Sequence, residues 1–199
     1  MSFQKIFPTT VARGALSSSL ALRKNLLKDI ELISKEDKFG KDWSKKNYVG
    51  GYTSYASLNN LQHRYPSFME FEKRINKEAE KFAKKLGWNL KGLELQMTDC
   101  WANIMPQGTH HTLHFHPHSV ISGAFYLTTP PGSVALKLED PRMSFYMNAP
   151  QGKSMYAEIP AQEGRFILFE SWLRHEVPPN QSKKPRISIS FNYALETVD

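Results

Sequence analysis

The segment Arg186–Tyr193, RISISFNY, alternates polar and apolar residues, and the predicted fold depends on it. Successive side chains of a β-strand point to opposite faces of the sheet. Two rows result. The polar row contains Arg186, Ser188, Ser190 and Asn192, and the apolar row contains Ile187, Ile189 and Phe191. A row that contains an arginine and an asparagine cannot be plain core. The strand is therefore predicted to have one hydrophobic face and one face with a polar purpose.

Four further segments after Leu90 have the same short, β-rich character, and Pro and Gly turns separate them. They are LELQMTDCWANIM (93–105), SVISGAFYLTT (119–129), SVALKLE (133–139) and RFILFE (165–170). No helical stripe lies between them. The pattern predicts a mainly β fold, with two antiparallel sheets packed or rolled together as in a jelly roll.

The first 90 residues have a helical period instead. Residues 16–37 repeat apolar side chains at Leu16, Leu20, Leu27 and Ile30, and residues 66–87 begin at Pro66 and Ser67 and end at Gly87. The second helix has one apolar stripe, made of Phe68, Phe71, Ile75, Ala79, Phe82 and Leu86. Residues 39–60, rich in Gly, Asn and Ser, are predicted to be an ordered loop with aromatic anchors. We expect a single domain over 1–199, in which helices in 1–90 buttress one sheet of a β core in 91–199.

Composition excludes several classes of function. The net charge of +7 comes from residues 1–90, which hold 17 Lys or Arg against 9 Asp or Glu, while the rest holds 9 against 10. Lysines on amphipathic helices usually form a solvated face, so nucleic-acid binding is not expected. No apolar run is long enough for a membrane span, and one cysteine excludes an internal disulfide. A cytoplasmic protein is expected, and the oligomeric state is left open between a monomer and a homodimer.

The stretch HTLHFHPHS, residues 111–119, holds four of the seven histidines of the chain. In a strand, His114 and His116 point the same way and Phe115 the other way, which makes half of a metal site. Pro117 cannot donate a backbone hydrogen bond and so interrupts the strand, which leaves open the face to which the side chain of His118 points. His175, in SWLRHEVPP, is the natural third ligand if the barrel brings the strands together. The alternative is that these histidines bind no metal and form a polar rim by chance.

Arg186 carries the second functional argument. An unpaired guanidinium on an inward face costs several kcal/mol, so it should meet an anion. Together with Ser188 it could hold a carboxylate through a charge-assisted contact and a hydroxyl hydrogen bond. A structural ion pair with Glu170 or Glu176 is the alternative.

These segments resemble a known family. PAQEGRFILFESWLRHEVPP (160–179) followed by RISISFN resembles the C-terminal half of iron(II)- and 2-oxoglutarate-dependent oxygenases of the prolyl-hydroxylase-like kind. HFHPHSVISGAFYL (114–127) is similar to one family within that group, whose members have H-x-H-P before S-G-x-x-Y-L and whose substrates are largely unassigned. The resemblance runs from about Trp101 to Tyr193, and IFPT (6–9) with the two helices is similar to that family's start.

The resemblance implies a double-stranded β-helix, a small-molecule or amino-acid-like substrate, and Fe(II), 2-oxoglutarate and O2 as cofactor and cosubstrates. It implies iron ligation by His114, His116 and His175. It also implies that Arg186 and Ser188, with Tyr126, bind the far carboxylate of 2-oxoglutarate. Contacts with substrate, or support of the ligands, are expected of Trp101, Asn103, His118 and Asn192. For Trp101 the alternative is an ordinary core residue. No other side chain needs to act as acid or base.

The second ligand position departs from the superfamily, because most members have Asp or Glu there. Three neutral imidazoles leave the iron one unit more positive, which should strengthen its hold on a dianionic cosubstrate. Glu139 and Asp140 follow another strand and are not expected to be ligands. The expected reaction is hydroxylation with release of succinate and CO2. A cupin-like three-His dioxygenase or isomerase without 2-oxoglutarate and a non-catalytic jelly-roll binding module remain alternatives. Residues 140–156 could form a lid or a plain surface loop.

Overall fold

The computed structural model describes residues 1–16, 20–142, 147, 152 and 154–198. The helices within these residues are α1 (Leu20–Glu36), α2 (Lys38–Asn47) and α3 (Pro66–Lys85), with a short 3-10 helix at Leu61–His63. The strands are β1 (Val11–Ala15), β2 (Tyr52–Thr53), β3 (Leu93–Met105), β4 (His111–His114), β5 (Ile121–Thr128), β6 (Leu136–Glu139), β7 (Tyr156–Ile159), β8 (Arg165–Glu170), β9 (His175–Val177) and β10 (Arg186–Thr197). All five segments predicted as strands are therefore strands.

The strands form two antiparallel sheets. One has six strands in the order β1-β8-β5-β10-β3-β2, and the other has four in the order β4-β9-β6-β7. Strand β10 lies near the middle of the larger sheet, where Ser188 pairs with Asn103 of β3 and with Tyr126 of β5. The order of the strands interleaves distant parts of the chain, as two rolled sheets require. The predicted double-stranded β-helix, buttressed by helices, is confirmed.

Helix α3, with α1 packed beside it, covers the apolar face of the six-stranded sheet. The ring of Phe71 on α3 lies 5.4 Å from that of Phe125 on β5 and 5.5 Å from that of Phe191 on β10. Phe191 belongs to the apolar row of the opening segment, and its ring is fully buried. The predicted stripe of α3 is confirmed, with Leu86 at its edge only half-buried. This packing leaves the polar row of β10 on the other face.

The predicted stripe of α1 is wrong in part. Leu20 is 66% exposed, and the buried residues of the helix are Leu22, Leu26, Ile30 and Ile33. These four follow each other at spacings of four, four and three residues, which is one helical face. The prediction took leucines from the start of the helix, where Leu20 faces solvent, and so missed this face.

The segment 39–60 was predicted to be a loop, and this is also wrong. It contains most of α2 and all of β2. The helix begins here because Asp37 caps it, accepting a hydrogen bond from the backbone N–H of Gly40 at 2.8 Å. A side chain at position 40 would collide with Asp37, so glycine is what lets this cap close. Strand β1, which pairs Val11 with Phe169 of β8, was not predicted, since VARGA has no clear alternation. No described helix is long and apolar enough to cross a membrane.

Candidate metal centre and its cavity

A cavity of about 600 Å³ opens between the two sheets. The polar row of the opening segment lines it, in the order Arg186, Ser188, Ser190 and Asn192. Facing this row are the histidines of β4 and β9 and the segment that follows β4. The purpose of the polar face is thus to line a cavity, while the apolar row on the same strand packs against the helices.

Three histidines converge in this cavity. His114 is the last residue of β4 and pairs in register with His175, the first residue of β9. His116 follows two residues later, and its Nε2 lies 3.3 Å from Nε2 of His175. One ring nitrogen from each of the three lies within 4.8 Å of the others. Nitrogens about 2.1 Å from a shared metal ion would be about 3 to 3.5 Å apart, so a small inward shift completes the set.

His116 lies in the cavity, as expected of a ligand, but at the turn after β4 and not in the strand that was expected to position it. The ladder of β4 ends at His114, so His116 is not a strand residue. Its backbone N–H instead donates to the carbonyl of Ser171 at 3.1 Å, just before the bend into Pro117. His118 has a left-handed backbone with φ of 66° and is exposed at the rim of the cavity. The turn after the strand, and not strand alternation, brings His116 to the group.

The environment keeps the rings of His116 and His175 neutral. Burial lowers the pKa of His175 to about 3, and the nearby imidazole of His114 adds to that effect. Burial, again with His114, lowers the pKa of His116 to about 4. A metal ligand must offer an unprotonated nitrogen, and imidazole suits iron, nickel, copper and zinc. The donor set therefore fits a divalent transition metal.

Hydrogen bonds fix the orientation of two of the rings. Nδ1 of His114 donates to the carbonyl of Thr112 at 2.6 Å, and Nδ1 of His175 donates to the carbonyl of Leu173 at 2.9 Å. A carbonyl can only accept, so in both rings the free lone pair is on Nε2, facing the cavity. Nδ1 of His116 faces the side-chain amide nitrogen of Asn192 at 3.1 Å.

Arg186 is buried to 2% exposure without a carboxylate. One of its Nη atoms is 2.8 Å from the sulfur of Met105, and the guanidinium lies 5.0 Å over the ring of Tyr126. Within the described part of the chain it has no ion pair, so the alternative of a pair with Glu170 or Glu176 is not found. Among the described residues, its Nε and the hydroxyl of Tyr126 have no partner at hydrogen-bond geometry, although both are buried. Such orphaned donors call for a bound anion.

Trp101 of β3 lines the cavity, whereas Asn103 of the same strand is buried beside its polar row. The ring of Trp101 is 5.9 Å from that of His116, so this buried residue is a wall of the cavity and not ordinary core. Asn103 accepts from Thr53 at 2.8 Å and donates to Ser190 at 3.0 Å. Both ends of its amide are engaged in these bonds, so Asn103 supports the polar row from the side.

The carboxylates near β6 are not part of the group. Glu139 is held by Arg174 at 2.9 Å, and Asp140 accepts from Arg142 at 2.9 Å. Among the described residues, the only cluster able to hold a metal is the one of three histidines. The suggested lid, 140–156, lies for the most part outside the described residues.

Sequence reasoning missed several residues of the site. Tyr48, at the end of α2, bonds His111 at 2.9 Å and stacks on its ring at 4.5 Å. Burial is the main reason that the pKa of His111 falls to about 3. Ser122 and Ser171 were missed too, and both are buried. Alternation along β5 puts Ser122 on the same face as Tyr126, which was a usable signal. Nothing local marked Tyr48, because its segment looked like a loop.

Comparisons with known proteins agree with this geometry. Residues 99–192 match the sequence model of a family described as "Putative 2OG-Fe(II) oxygenase". No curated protein sequence matches the chain. A prolyl-4-hydroxylase from Pseudomonas putida is similar in structure, with a TM-score of 0.63 at 14% identity, over 94% of this chain and 92% of that one.

Two other solved structures share the fold. HygX from Streptomyces hygroscopicus, with nickel and 2-oxoglutarate bound, has a TM-score of 0.61 at 10% identity, over 94% of this chain and 82% of that one. The epimerase SnoN from nogalamycin biosynthesis has a TM-score of 0.68 at 11% identity, over 96% and 79%. At these identities the likeness shows the fold alone. The resemblance inferred from the sequence is confirmed: residues 99–192 carry the pattern of the 2OG-Fe(II) oxygenases, on the double-stranded β-helix of such enzymes.

Proposed function

We propose that this protein is an Fe(II)- and 2-oxoglutarate-dependent oxygenase that hydroxylates a C–H bond of a small-molecule or amino-acid-like substrate, with release of succinate and CO2. One observation carries the proposal, namely that the cavity with the three histidines also contains Arg186, a buried arginine that has no ion pair with any of the described residues. A metal site alone would not need Arg186, and a structural arginine would have a carboxylate partner.

The metal would be held by Nε2 of His114, His116 and His175. Bound Fe(II) supplies the activation of O2 and the redox chemistry, while the protein supplies geometry and electrostatics. The ligands are all neutral, so the metal keeps its full double charge against the two carboxylates of the cosubstrate.

The far carboxylate of 2-oxoglutarate would lie between Arg186, Ser188 and Tyr126. Arg186 can donate two charge-assisted hydrogen bonds, and the hydroxyl of Ser188 lies two residues along the same face. Burial raises the pKa of Tyr126, so its hydroxyl keeps its proton and can donate. All three donors line one wall of the cavity and none is exposed above 4%. This wall can hold the cosubstrate in one orientation toward the histidines.

The remaining wall supports an amino-acid-like substrate. Trp101 and Tyr55, 5.1 Å apart between ring centres, give an aromatic surface near His116. Asp99 is the one carboxylate among the described residues that line the cavity, and it is half-buried. A substrate amino group would be attracted to Asp99, while its carbon chain would lie on the aromatic rings.

The test uses purified protein under anaerobic conditions with Fe(II) and then 2-oxoglutarate. We expect a weak visible charge-transfer band and a rise in melting temperature that needs both components. His175→Ala should abolish both signals. Arg186→Met should weaken both signals at a given 2-oxoglutarate concentration, while metal binding measured without 2-oxoglutarate stays intact. Succinate formation under air, screened across amino acids and small metabolites, would then identify the substrate class.

The rival functions give different results. Metal binding without any response to 2-oxoglutarate would favour a three-His dioxygenase or isomerase, and the Arg186 assignment would be wrong. No metal binding at all would favour a non-catalytic binding module. Uncoupled succinate formation without substrate would still support the oxygenase.

A further inference from the structure

Arg186 has a methionine as its neighbour across the sheet. It is the first residue of β10 and pairs in register with Met105, the last residue of β3. Residues directly opposite each other in an antiparallel pair point to the same face, so both side chains are on the cavity side of the sheet. Met105 is fully buried there, in the same apolar cluster as Tyr126 and Leu136, two residues that line the cavity.

The side chains of Arg186 and Met105 are in direct contact. Nη1 of Arg186 lies 2.8 Å from Sδ of Met105. A guanidinium can only donate and a thioether can only accept, so the residue types fix the direction of this contact. The guanidinium also lies 5.0 Å from the centre of the Tyr126 ring, whose π face attracts a cation. Both partners are uncharged, so neither neutralises Arg186.

The nitrogen that Met105 contacts leaves one edge of the guanidinium for a ligand. Nη1 is on the side of Cδ, whereas Nε and Nη2 form the opposite edge, with two parallel N–H bonds. Such an edge fits both oxygens of a carboxylate. Nε of Arg186 belongs to this edge and has no partner at hydrogen-bond geometry among the described residues. Met105 thus engages the terminal nitrogen that a carboxylate on this edge does not need.

A second set of hydrogen bonds holds Met105 itself. Its backbone carbonyl accepts from the side-chain amide of Asn180 at 2.8 Å. The backbone of Asn180 donates to the carbonyl of Thr109 at 2.9 Å and accepts from the N–H of Gly108 at 2.8 Å. Asn180 and Thr109 are both fully buried. The backbone that presents the sulfur is therefore held by this network as well as by its pairing with β10.

We propose that Met105 is a positioning residue for the cosubstrate: its sulfur holds the side chain of Arg186 through Nη1 and directs the Nε–Nη2 edge to the far carboxylate of 2-oxoglutarate. The inference rests on the proposed function, in which Arg186 binds this carboxylate. A thioether suits the task because it is a weak and neutral acceptor. It orients the guanidinium but leaves its charge for the ligand, to which a charge-assisted hydrogen bond is about twice as strong as a neutral one.

Three substitutions of Met105 separate the parts of this role. Met105→Leu keeps an apolar side chain and removes the acceptor, so Arg186 must be ordered when 2-oxoglutarate binds. Immobilising one flexible side chain on binding should weaken the affinity about 2- to 10-fold. Met105→Gln keeps the length and an acceptor, and should recover the affinity that Met105→Leu loses. Met105→Glu places a carboxylate on Arg186 and should weaken binding as strongly as Arg186→Met does.

A double-mutant cycle tests whether Met105 acts through Arg186. The measurement is calorimetric titration of 2-oxoglutarate into the Fe(II)-loaded protein without O2. In Arg186→Met protein, Met105→Leu should cause no further loss, because the group that the sulfur holds has been removed. A residue that only fills space would cause the same loss in both backgrounds.

A second probe isolates the far carboxylate. In 2-oxopentanoate a methyl group replaces this carboxylate, and the rest of the molecule is the same as in 2-oxoglutarate. Met105→Leu should therefore leave the affinity for 2-oxopentanoate unchanged. A general disturbance of the cavity would weaken the binding of both 2-oxo acids.

Met97→Leu is the matched control for packing. Met97 is a buried methionine of the same strand, but it belongs to the apolar cluster on the helix side of the sheet. We expect wild-type affinity for 2-oxoglutarate in this variant. Urea unfolding of each metal-free variant separates a loss of fold from a loss of binding.

Four results would overturn the role of Met105. They are unchanged affinity for 2-oxoglutarate in Met105→Leu, Met105→Gln that binds no better than Met105→Leu, an equal loss in the Arg186→Met background, and an equal loss for 2-oxopentanoate. Wild-type protein that binds metal but not 2-oxoglutarate would refute the oxygenase proposal, and this inference with it. Binding that is lost in Arg186→Met but kept in Met105→Leu refutes the inference alone.

Discussion

Replacing Arg186 by methionine should weaken 2-oxoglutarate binding and at the same time stabilise the ligand-free protein. Arg186 is 2% exposed, and its Nε has no hydrogen-bond partner among the residues that the structure describes. A charge-assisted hydrogen bond is worth about 1.5–3 kcal/mol, so losing the carboxylate grip should cost about 2–4 kcal/mol. This corresponds to an affinity about 30- to 1,000-fold weaker.

The same substitution should not lower the stability of the ligand-free protein and should tend to raise it. A buried charge without a counter-ion is destabilising, and an apolar side chain of similar length can be better by about 1–3 kcal/mol. Arg186→Met should therefore have a free energy of unfolding equal to or above that of wild type. Arg165→Met is the control, since Arg165 is exposed on β8.

The assays are calorimetric titration of 2-oxoglutarate into the metal-loaded protein and urea unfolding of the metal-free protein. Wild-type-like affinity in Arg186→Met would remove Arg186 from the cosubstrate site. A large loss of stability would mean that Arg186 is a structural residue whose favourable contacts outweigh its burial. Either result refutes the inference that the buried Arg186 charge awaits a carboxylate.

The other predictions concern the histidines and the core. His114→Ala should reduce Ni²⁺ affinity far more than His118→Ala, because only His114 places a ring nitrogen in the three-histidine group; equal losses in a chelator competition would contradict this assignment. The metal-free protein should lose stability as the pH falls from 7.5 to 5. The folded-state pKa values of His111, His116 and His175 lie at about 3 to 4, below the unfolded value of about 6.5, so the unfolded chain takes up protons first. Each ring should cost about 1–2 kcal/mol at pH 5, and unfolding curves that do not change over this range would show that these rings are not held neutral. Gly123→Ala should destabilise the protein by about 1–3 kcal/mol, since a Cβ there would lie 2.5 Å from the ring of Phe191 and 2.8 Å from the carbonyl of Ile167. Gly152→Ala serves as the control in the same thermal melts, because none of the described residues lies within 4 Å of its added carbon.

Helix α3 and five strands were predictable because their signals are local, namely β3, β5, β6, β8 and β10. Alternation in the opening segment separates Phe191 from Asn192, and the same two faces appear in the structure as core and cavity. The helical stripe from Phe68 to Phe82 is equally local. Where the local signal was weak, as in 39–60, the prediction was wrong, because a cap by Asp37 and pairing of β2 with β3 decide the conformation there.

The site divides in the same way. Residue type and spacing pointed to His114, His116, His175 and Arg186, since few other functions need imidazoles and an inward arginine on β-strands. Spacing could not show that β4 ends before His116, nor that Tyr48 lies against His111. The first fact depends on the turn after β4. The second depends on a contact between Tyr48 and His111, which are 63 residues apart in sequence.

The sequence by itself determined that one strand would separate an apolar face from a polar one, and which residues would be in each row. That follows from backbone geometry, which makes every strand alternate. Only the tertiary structure decided which distant atoms meet: Nε2 of His116 beside Nε2 of His175, and Asn192 behind His116 at the end of two buried serines. The direction of a hydrogen bond depends on both partners, and these partners come from β5, β8, β9 and β10 or the segments beside them.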